Sequence, residues 1–391
     1  MIQFEEALEI VLGSARFLGS EPVDLVDSLG RILAEDIVSD IDMPPFDKSS
    51  MDGYACKLAD IRNPLKILEI LPAGKKPEKT IGKNQCSKIM TGAAVPEGAD
   101  CVIMVEHTRL NESGEVLFTA DKTDKHIYYK GEDIKGGEIV LEQFRRIRPQ
   151  HVAILASAGK ARPLVSKRPK VGIIATGDEL VEPSQALAPF SIRNSNSYQL
   201  FTQILAADAI PAYYGIAKDT ENDIDRKLRQ ALRENDVVLL SGGVSMGDFD
   251  LTPSIMERNG IDIKFKSIAV KPGKPTHFGL SNKAYCFGLP GNPVSTFVQF
   301  ESLIKPFLYK LMGYEYDYVY SKAKLESDVL IKPHDRESWI PVSLTDDNRA
   351  IPLRYHGSAH INALRWADGF ILIPIGSPGI EKEATVKVRR I

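Results

Sequence analysis

The chain has 391 residues, 43% of them hydrophobic and 26% charged, with a net charge of −3 and a pI ≈ 6.2. At ~150 residues per domain this length gives roughly two to three domains, and the composition excludes a largely disordered chain. The charge lacks the basic excess of a nucleic-acid binder, and no apolar run approaches the ~20 residues that span a bilayer.

At the N-terminus Glu5 and Glu6 stand where a secretory leader would carry Lys or Arg, so no targeting segment is read. Cys56, Cys86, Cys101 and Cys286 are far apart, without C-x-x-C. They form neither a disulfide framework nor a zinc motif, and a reducing cytoplasm is the expected compartment. Phe4, Ala7, Leu8, Val11 and Leu12 follow the spacing of an amphipathic helix. Residues 22–38 read as a second helix or a strand, and MPPFDKSSMDGYA after them reads as a loop, by its prolines, serines and glycine. From about residue 65 to 145 short β-rich runs (KILEIL, SKIM, CVIMVEH, VLFTA, EIVL) alternate with turn residues, as in a small all-β module. HVAILASAG then reads as a helix ending at Gly159.

Residues 169–310 alternate apolar strands (VGIIA, AYYGIA, DVVLLS, IKFKSIAV, AYCFGLP) with helices such as SYQLFTQILAADA and DIDRKLRQALREN, and close on the helix NPVSTFVQFESLIKPFL. This is the pattern of a doubly wound parallel sheet. Ligands of such folds sit beyond the carboxyl ends of the strands, where TGDE, SGGVSMGD and LPGNP all fall. The last ~75 residues hold short strands without a long helix and read as a second β module. No repeat of solenoid period is present.

The loops after the strands carry the chemistry. Gly242, Gly243 and Gly247 in SGGVSMGDFD let backbone N–H groups approach an anion. Asp248 and Asp250 follow, as helix cap or cation ligand. Thr176 and Gly177 make a second such turn, with Asp178 and Glu179 at the strand's end. Lys271 and Lys274 lie on a loop stiffened by Pro272 and Pro275, and two ammonium groups at that spacing can neutralise an oxyanion. Asn292 stands between prolines ahead of a helix that carries Ser295. FDKSSMDGYA, MTGAAVPEGAD and GEDIKGGE add Asp52, Thr91, Glu132 and Asp133 on turn-rich loops. Carboxylates without neighbouring His or Cys suit Mg²⁺ better than zinc. Walker A and G-x-S-x-G motifs are absent, which disfavours a P-loop NTPase and gives no sign of covalent catalysis.

Seven motifs in order over residues 44–295 (PPFDKSSMDGYA, MTGAAVPEGAD, GEDIKGG, IATGDEL, SGGVSMGDFD, KPGKP and LPGNPVS) resemble the MoeA / gephyrin E-domain family, the molybdopterin molybdenumtransferases. The resemblance implies a multidomain α/β plus β fold. Its parts would be an N-terminal helix at 1–19 packed on the α/β domain, an extended segment-swapped domain at 20–40 and 140–168, and an inserted β module at 41–139. A doubly wound molybdopterin-binding domain at 169–315 and a C-terminal β-barrel at 316–391 would follow.

It also implies the activity: Mg²⁺-dependent insertion of molybdenum from molybdate into adenylated molybdopterin, with release of AMP. The partners implied are a second copy in a homodimer, with the site in the subunit cleft, and the molybdopterin adenylyltransferase. Catalytic roles fall to Asp52, Asp133, Glu179, Asp219 and Asp250, with Glu179 and Asp250 as Mg²⁺ ligands. Substrate contacts fall to Thr91, Thr176, Gly177, Gly242, Gly243, Ser245, Gly247, Lys271, Lys274, Pro275, Pro290, Asn292 and Ser295. The C-terminal module departs from the family pattern: Pro341 replaces an arginine in RESWIPV, and Asn362 and Ala363 replace serines in GSAHINAL. That leaves Arg336, Arg354 or Ser358 to supply its oxyanion contacts. Two other readings are a non-catalytic scaffold of the gephyrin E-domain type and a CinA-like nucleotide pyrophosphatase.

Overall fold

The computed structural model describes residues 1–243, 251–354 and 357–391. Helix Phe4–Gly13 forms at the expected spacing and buries Phe4, Ala7 and Val11. Glu5 and Glu6 occupy its first turn, where the helix's positive end favours carboxylates. Its buried face joins the core of the α/β domain, and Phe4 meets Trp339 of the C-terminal module edge-on at 5.5 Å.

Residues 22–38 are neither one helix nor one long strand. They follow the short strand Ser20–Pro22, and contain a 3₁₀ turn at Val26–Ser28 and the strand Ile37–Val38. Both strands pair far along the chain, with Leu164–Ser166 and Ile139–Leu141 respectively. Leu33 and Ile37 bury against Leu141, Ile147, Leu155 and Val165. The apolar pairs here serve a cluster assembled across more than 100 residues, which local periodicity does not encode.

Ser39 marks a neck: its N–H donates to the Glu138 carbonyl at 2.9 Å, and its carbonyl accepts from Gly137 N–H at 2.8 Å. Between these two passages lies a four-stranded sheet in the order Lys66–Leu71, Gln85–Ile89, Gly53–Cys56, Cys101–Met104. The strand Gly53–Cys56 is central and wholly buried. It follows directly on the Asp47–Asp52 loop, so that loop leads into a buried inner strand.

The α/β domain holds a six-stranded sheet in the order Ile210–Ala217, Lys170–Thr176, Val237–Ser241, Tyr285–Leu289, His277–Leu280, Asp262–Phe265. The first four strands are parallel. His277–Leu280 runs antiparallel to both neighbours, so the sheet is mixed where the sequence reads as parallel. Ile173 and Leu239 face one core, Ile174 and Leu240 the other; burial on both faces is why these strands are continuously apolar. Each such side chain contributes on the order of 1.5–3 kcal/mol by leaving water. Helix Glu221–Glu234 covers one face through Ile224, Leu228 and Ala231.

The run IKFKSIAV divides between two sheets. Asp262–Phe265 edges the α/β sheet, whereas Val270–Lys271 pairs with Glu337–Ser338 of the C-terminal module. That module is a closed barrel: Tyr320–Leu325, Thr385–Arg390, Gly369–Ile373, Glu337–Leu344 and Arg349–Pro352 pair in a ring. Closure removes free strand edges. Lys271, on the α/β domain, therefore stands in register with Ser338 of the barrel. Among the described residues no helix is long and apolar enough to cross a membrane.

Candidate active site

Strands Lys170–Thr176, Val237–Ser241 and Tyr285–Leu289 end side by side, and the loops that leave them enclose a cavity of ≈ 750 Å³. Thr176, Gly177 and Glu179 line it from the first loop, Ser241, Gly242 and Gly243 from the second, and Pro290, Asn292 and Pro293 from the third. Asp219, Pro275 and the barrel-side residues Ala359 and Ile361 also line it.

The glycine turn is dictated by space. Gly242 has φ +103, and a Cβ on it would lie 2.5 Å from the Thr176 carbonyl oxygen. At Gly243, φ +64, a Cβ would lie 2.7 Å from Thr252 Oγ1 and 3.1 Å from Thr176 Oγ1. Only glycine accommodates both the conformation and the approach. Thr176 Oγ1 and Thr252 Oγ1 are buried and have no hydrogen-bond partner among the described residues. Burying such a hydroxyl unpaired costs about 1–3 kcal/mol, so the turn carries polar capacity that protein groups leave unused.

Two acids stand at the rim. The Glu179 carboxylate lies over Gly177, and Asp219 is linked to Asp178 by two side-chain-to-backbone bonds of 3.1 and 3.3 Å. Asn196 Nδ2 donates to Ser241 Oγ at 3.0 Å and to the Gly291 carbonyl at 2.8 Å, tying the second loop to the third. Asn292 Nδ2 donates to Ser358 Oγ at 2.8 Å. Ser358, a residue of the altered segment GSAHINAL, thus anchors the barrel to the LPGNP loop.

The lysines lie elsewhere. Lys271 lines a second, neighbouring cavity of ≈ 530 Å³ together with Ser338, Asp328 and apolar residues of the barrel. Lys274 lines neither cavity. Ser338 Oγ lies 3.0 Å from His334 Nε2, and burial, with Lys271 and Arg336 nearby, holds the His334 imidazole below its ordinary pKa. Ser295 is buried in helix Pro293–Gln299 and does not face the larger cavity. Ser245, Gly247 and Asp250 lie outside the described residues.

Three motifs of the inserted module converge on one face of it. Ser49 N–H donates to the Ala93 carbonyl and its own carbonyl accepts from Gly92 N–H. Asp47 Oδ1 accepts from Lys130 N–H at 2.7 Å, and Asp133 N–H donates to the Met43 carbonyl. Asp52 Oδ1 accepts from the Thr91 N–H at 2.6 Å and from Thr91 Oγ1 at 2.8 Å. Those two donors, the N–H first, hold the Asp52 carboxyl below its ordinary pKa. Asp52, Thr91 and Asp133 do not line the cavity of the α/β domain within one chain.

Sequence reasoning passed over Arg193, Asn194 and Asn196, which line the larger cavity from the segment ahead of helix Asn196–Ala206. The signal that could have found them is the arginine of SIRNSN, between strand-end motifs.

Three family models match the chain in succession: the MoeA N-terminal region (domains I and II) over residues 2–159, a probable molybdopterin binding domain over 172–310, and the MoeA C-terminal region (domain IV) over 322–390. The molybdopterin molybdenumtransferase of Bacillus subtilis is 35% identical over 99% of this chain and 93% of its own length. That of Haemophilus influenzae is 39% identical over 75% of this chain and 73% of its own length. A crystal structure of the molybdopterin biosynthesis MoeA protein from Pyrococcus horikoshii OT3 matches with a TM-score of 0.85 at 31% identity, covering 100% of both chains. The chain belongs to the MoeA family.

Proposed function

We propose that this MoeA-family chain is a transferase of molybdenum cofactor biosynthesis, which inserts molybdenum from molybdate into adenylated molybdopterin and releases AMP. The observation that carries the reading is the larger cavity. A glycine turn, the Thr176 hydroxyl left unpaired by the described residues, two carboxylates and a proline-framed carboxamide meet there at the strand ends, in a chain matched along its length by MoeA models.

Both substrates are anions, so their approach must overcome like-charge repulsion. Glycine-turn amides and the Thr176 hydroxyl would hold the pyrophosphate, and fixed donors of this kind stabilise developing charge without reorganising. Lys271, with Ser338 opposite, would hold molybdate at the barrel seam. Mg²⁺ commonly binds through one or two carboxylates plus substrate phosphates. Glu179 and Asp219, lining one pocket, fit that donor set and would hold the ion, which supplies charge neutralisation at the pyrophosphate.

The converged face of the inserted module supplies the other half of the reading. Asp52, Thr91 and Asp133 are presented there with Phe46, Met51, Tyr128 and Tyr129, each at least 38% exposed. In a homodimer that face would close the partner's cavity, which favours a two-subunit site. A cytoplasmic location agrees with four buried free thiols. Transfer of a labile adenylated pterin also favours direct contact with the molybdopterin adenylyltransferase.

The experiment is AMP release from adenylated molybdopterin by the purified full chain, with and without molybdate and Mg²⁺. Release that requires molybdate is expected. Release without molybdate would show a pyrophosphatase, and no release a scaffold; either would overturn the proposal. Light scattering of the same sample should give a dimer mass.

A further inference from the structure

The larger cavity poses a charge problem that the two lysines do not solve. Its carboxylates Glu179 and Asp219 repel any phosphate that enters, yet Lys271 lines the other cavity and Lys274 neither. Among the described residues that line the larger cavity, Arg193 is the one cation. Its side chain is exposed and makes no ion pair or hydrogen bond with the described residues.

The backbone beneath Arg193 is held firmly. Leu180–Val181 and Ile192–Arg193 form a two-stranded parallel ribbon, with Val181 in register with Arg193. Ile192 N–H donates to the Glu179 carbonyl at 2.8 Å, and Asn194 N–H to the Val181 carbonyl at 2.9 Å. Glu179 and Arg193 are thus opposite charges at the two ends of one small ribbon. The ribbon is pinned from behind: Glu182 accepts from Tyr213 Oη at 2.7 Å and from Tyr198 Oη at 3.0 Å. Asn194, 1% exposed, donates from Nδ2 to Tyr213 Oη at 2.7 Å. Tyr213 keeps its proton to well above its ordinary pKa, through burial first and the Glu182 carboxylate second. This network sets the backbone and leaves the guanidinium unengaged.

A second observation points to a ligand in the same cavity. Thr176, 4% exposed, lines it with a buried Oγ1 that has no partner among the described residues. An unpaired hydroxyl beside positive-φ glycines, a free guanidinium and two carboxylates together suit a phosphate ester that can also carry a divalent cation. A guanidinium binds phosphate through two parallel N–H groups, which a lysine does not reproduce.

We infer that Arg193 is the residue that grips the adenylate phosphate in the larger cavity, with Glu182 and Tyr213 as positioning residues for its ribbon. This rests on the proposed transferase reading, and assigns it a phosphate contact that the sequence motifs leave out.

The test is calorimetric titration of the full chain with 5′-AMP in Mg²⁺ buffer, which reads binding without turnover. Arg193→Gln should weaken AMP by about tenfold to a hundredfold, the range of a lost charge-assisted contact. Arg193→Lys should recover part of that loss. Lys283→Gln removes one charge at an exposed turn before strand Tyr285–Leu289, at the end of the sheet away from the cavity, and should leave the affinity unchanged. Tyr213→Phe should weaken AMP several-fold while Arg193 remains, and should add nothing in the Arg193→Gln background, which a merely destabilising change would not do. Equal AMP affinity in Arg193→Gln and wild type would overturn the inference, as would an equal loss in Lys283→Gln. A molybdate-dependent wild type whose Arg193→Gln variant binds AMP normally would sink Arg193 alone and leave the transferase reading standing.

Discussion

Two cavities lie close together in this protein and are built by different means. The larger one, at the ends of the α/β strands, is shaped by backbone: positive-φ glycines, and positions where a Cβ would collide with Thr176 or Thr252. The smaller one, at the barrel seam, is shaped by side chains, with Lys271 and Ser338 among apolar barrel residues. A site made by backbone tolerates almost no substitution, whereas one made by side chains can exchange its residues.

The sharpest way to break this contrast is Gly242→Ala. The added Cβ meets Thr176 at 2.5 Å in a conformation of φ +103, and strain at such a position is on the order of 1–3 kcal/mol before the collision is counted. AMP release in a single-turnover assay should fall by about a hundredfold or more. Glu179→Ala comes next. Glu179 is exposed, so the melting temperature should hold while AMP release falls by roughly ten- to a hundredfold. Unchanged release would remove Glu179 from the site.

Lys271→Ala addresses the other cavity. It should raise the molybdate concentration needed for half-maximal rate by about tenfold and leave AMP affinity as in wild type. Loss of both would merge the two cavities into one functional site and end the contrast. The smallest effect concerns Glu337, whose carboxyl is pushed above its ordinary pKa by burial, against the lowering effect of the Trp339 N–H at 2.6 Å. Between the ordinary and the raised value the folded chain holds a proton that the unfolded chain releases, so stability falls as pH rises through that window. Glu337→Gln should therefore raise the melting temperature at pH 7 by roughly a degree or two. The gain should vanish below the ordinary carboxylate pKa, as melting curves at pH 7 and pH 4 would show.

The same distinction governs what could be read from the sequence. Helix Phe4–Gly13 and the central strands were legible because periodicity and continuous burial are local properties. The glycine turn was legible because its conformation demands glycine. Sheet partnership was not: IKFKSIAV reads as one strand, but its halves belong to different sheets, and pairing over such distances leaves no local trace. His277–Leu280 was hidden in the same way behind the prolines of KPGKP, and its antiparallel course followed from that. The segment 22–38 looked helical or extended because its apolar residues serve a cluster completed beyond residue 139. Arg193 was missed because it sits on a two-residue strand paired with another two-residue strand. Asp52 and Thr91 were found as motifs, but their mutual bonds emerge only when two loops 39 residues apart fold together.

The most direct measurement is a crystal of the full chain grown with molybdate, AMP and Mg²⁺, located by the anomalous scattering of molybdenum. The account predicts a molybdenum peak beside Lys271 at the barrel seam, and the AMP phosphate at the Gly242–Gly243 turn within reach of Arg193. A molybdenum peak distant from both cavities, or AMP bound elsewhere while the glycine turn takes none, would contradict it.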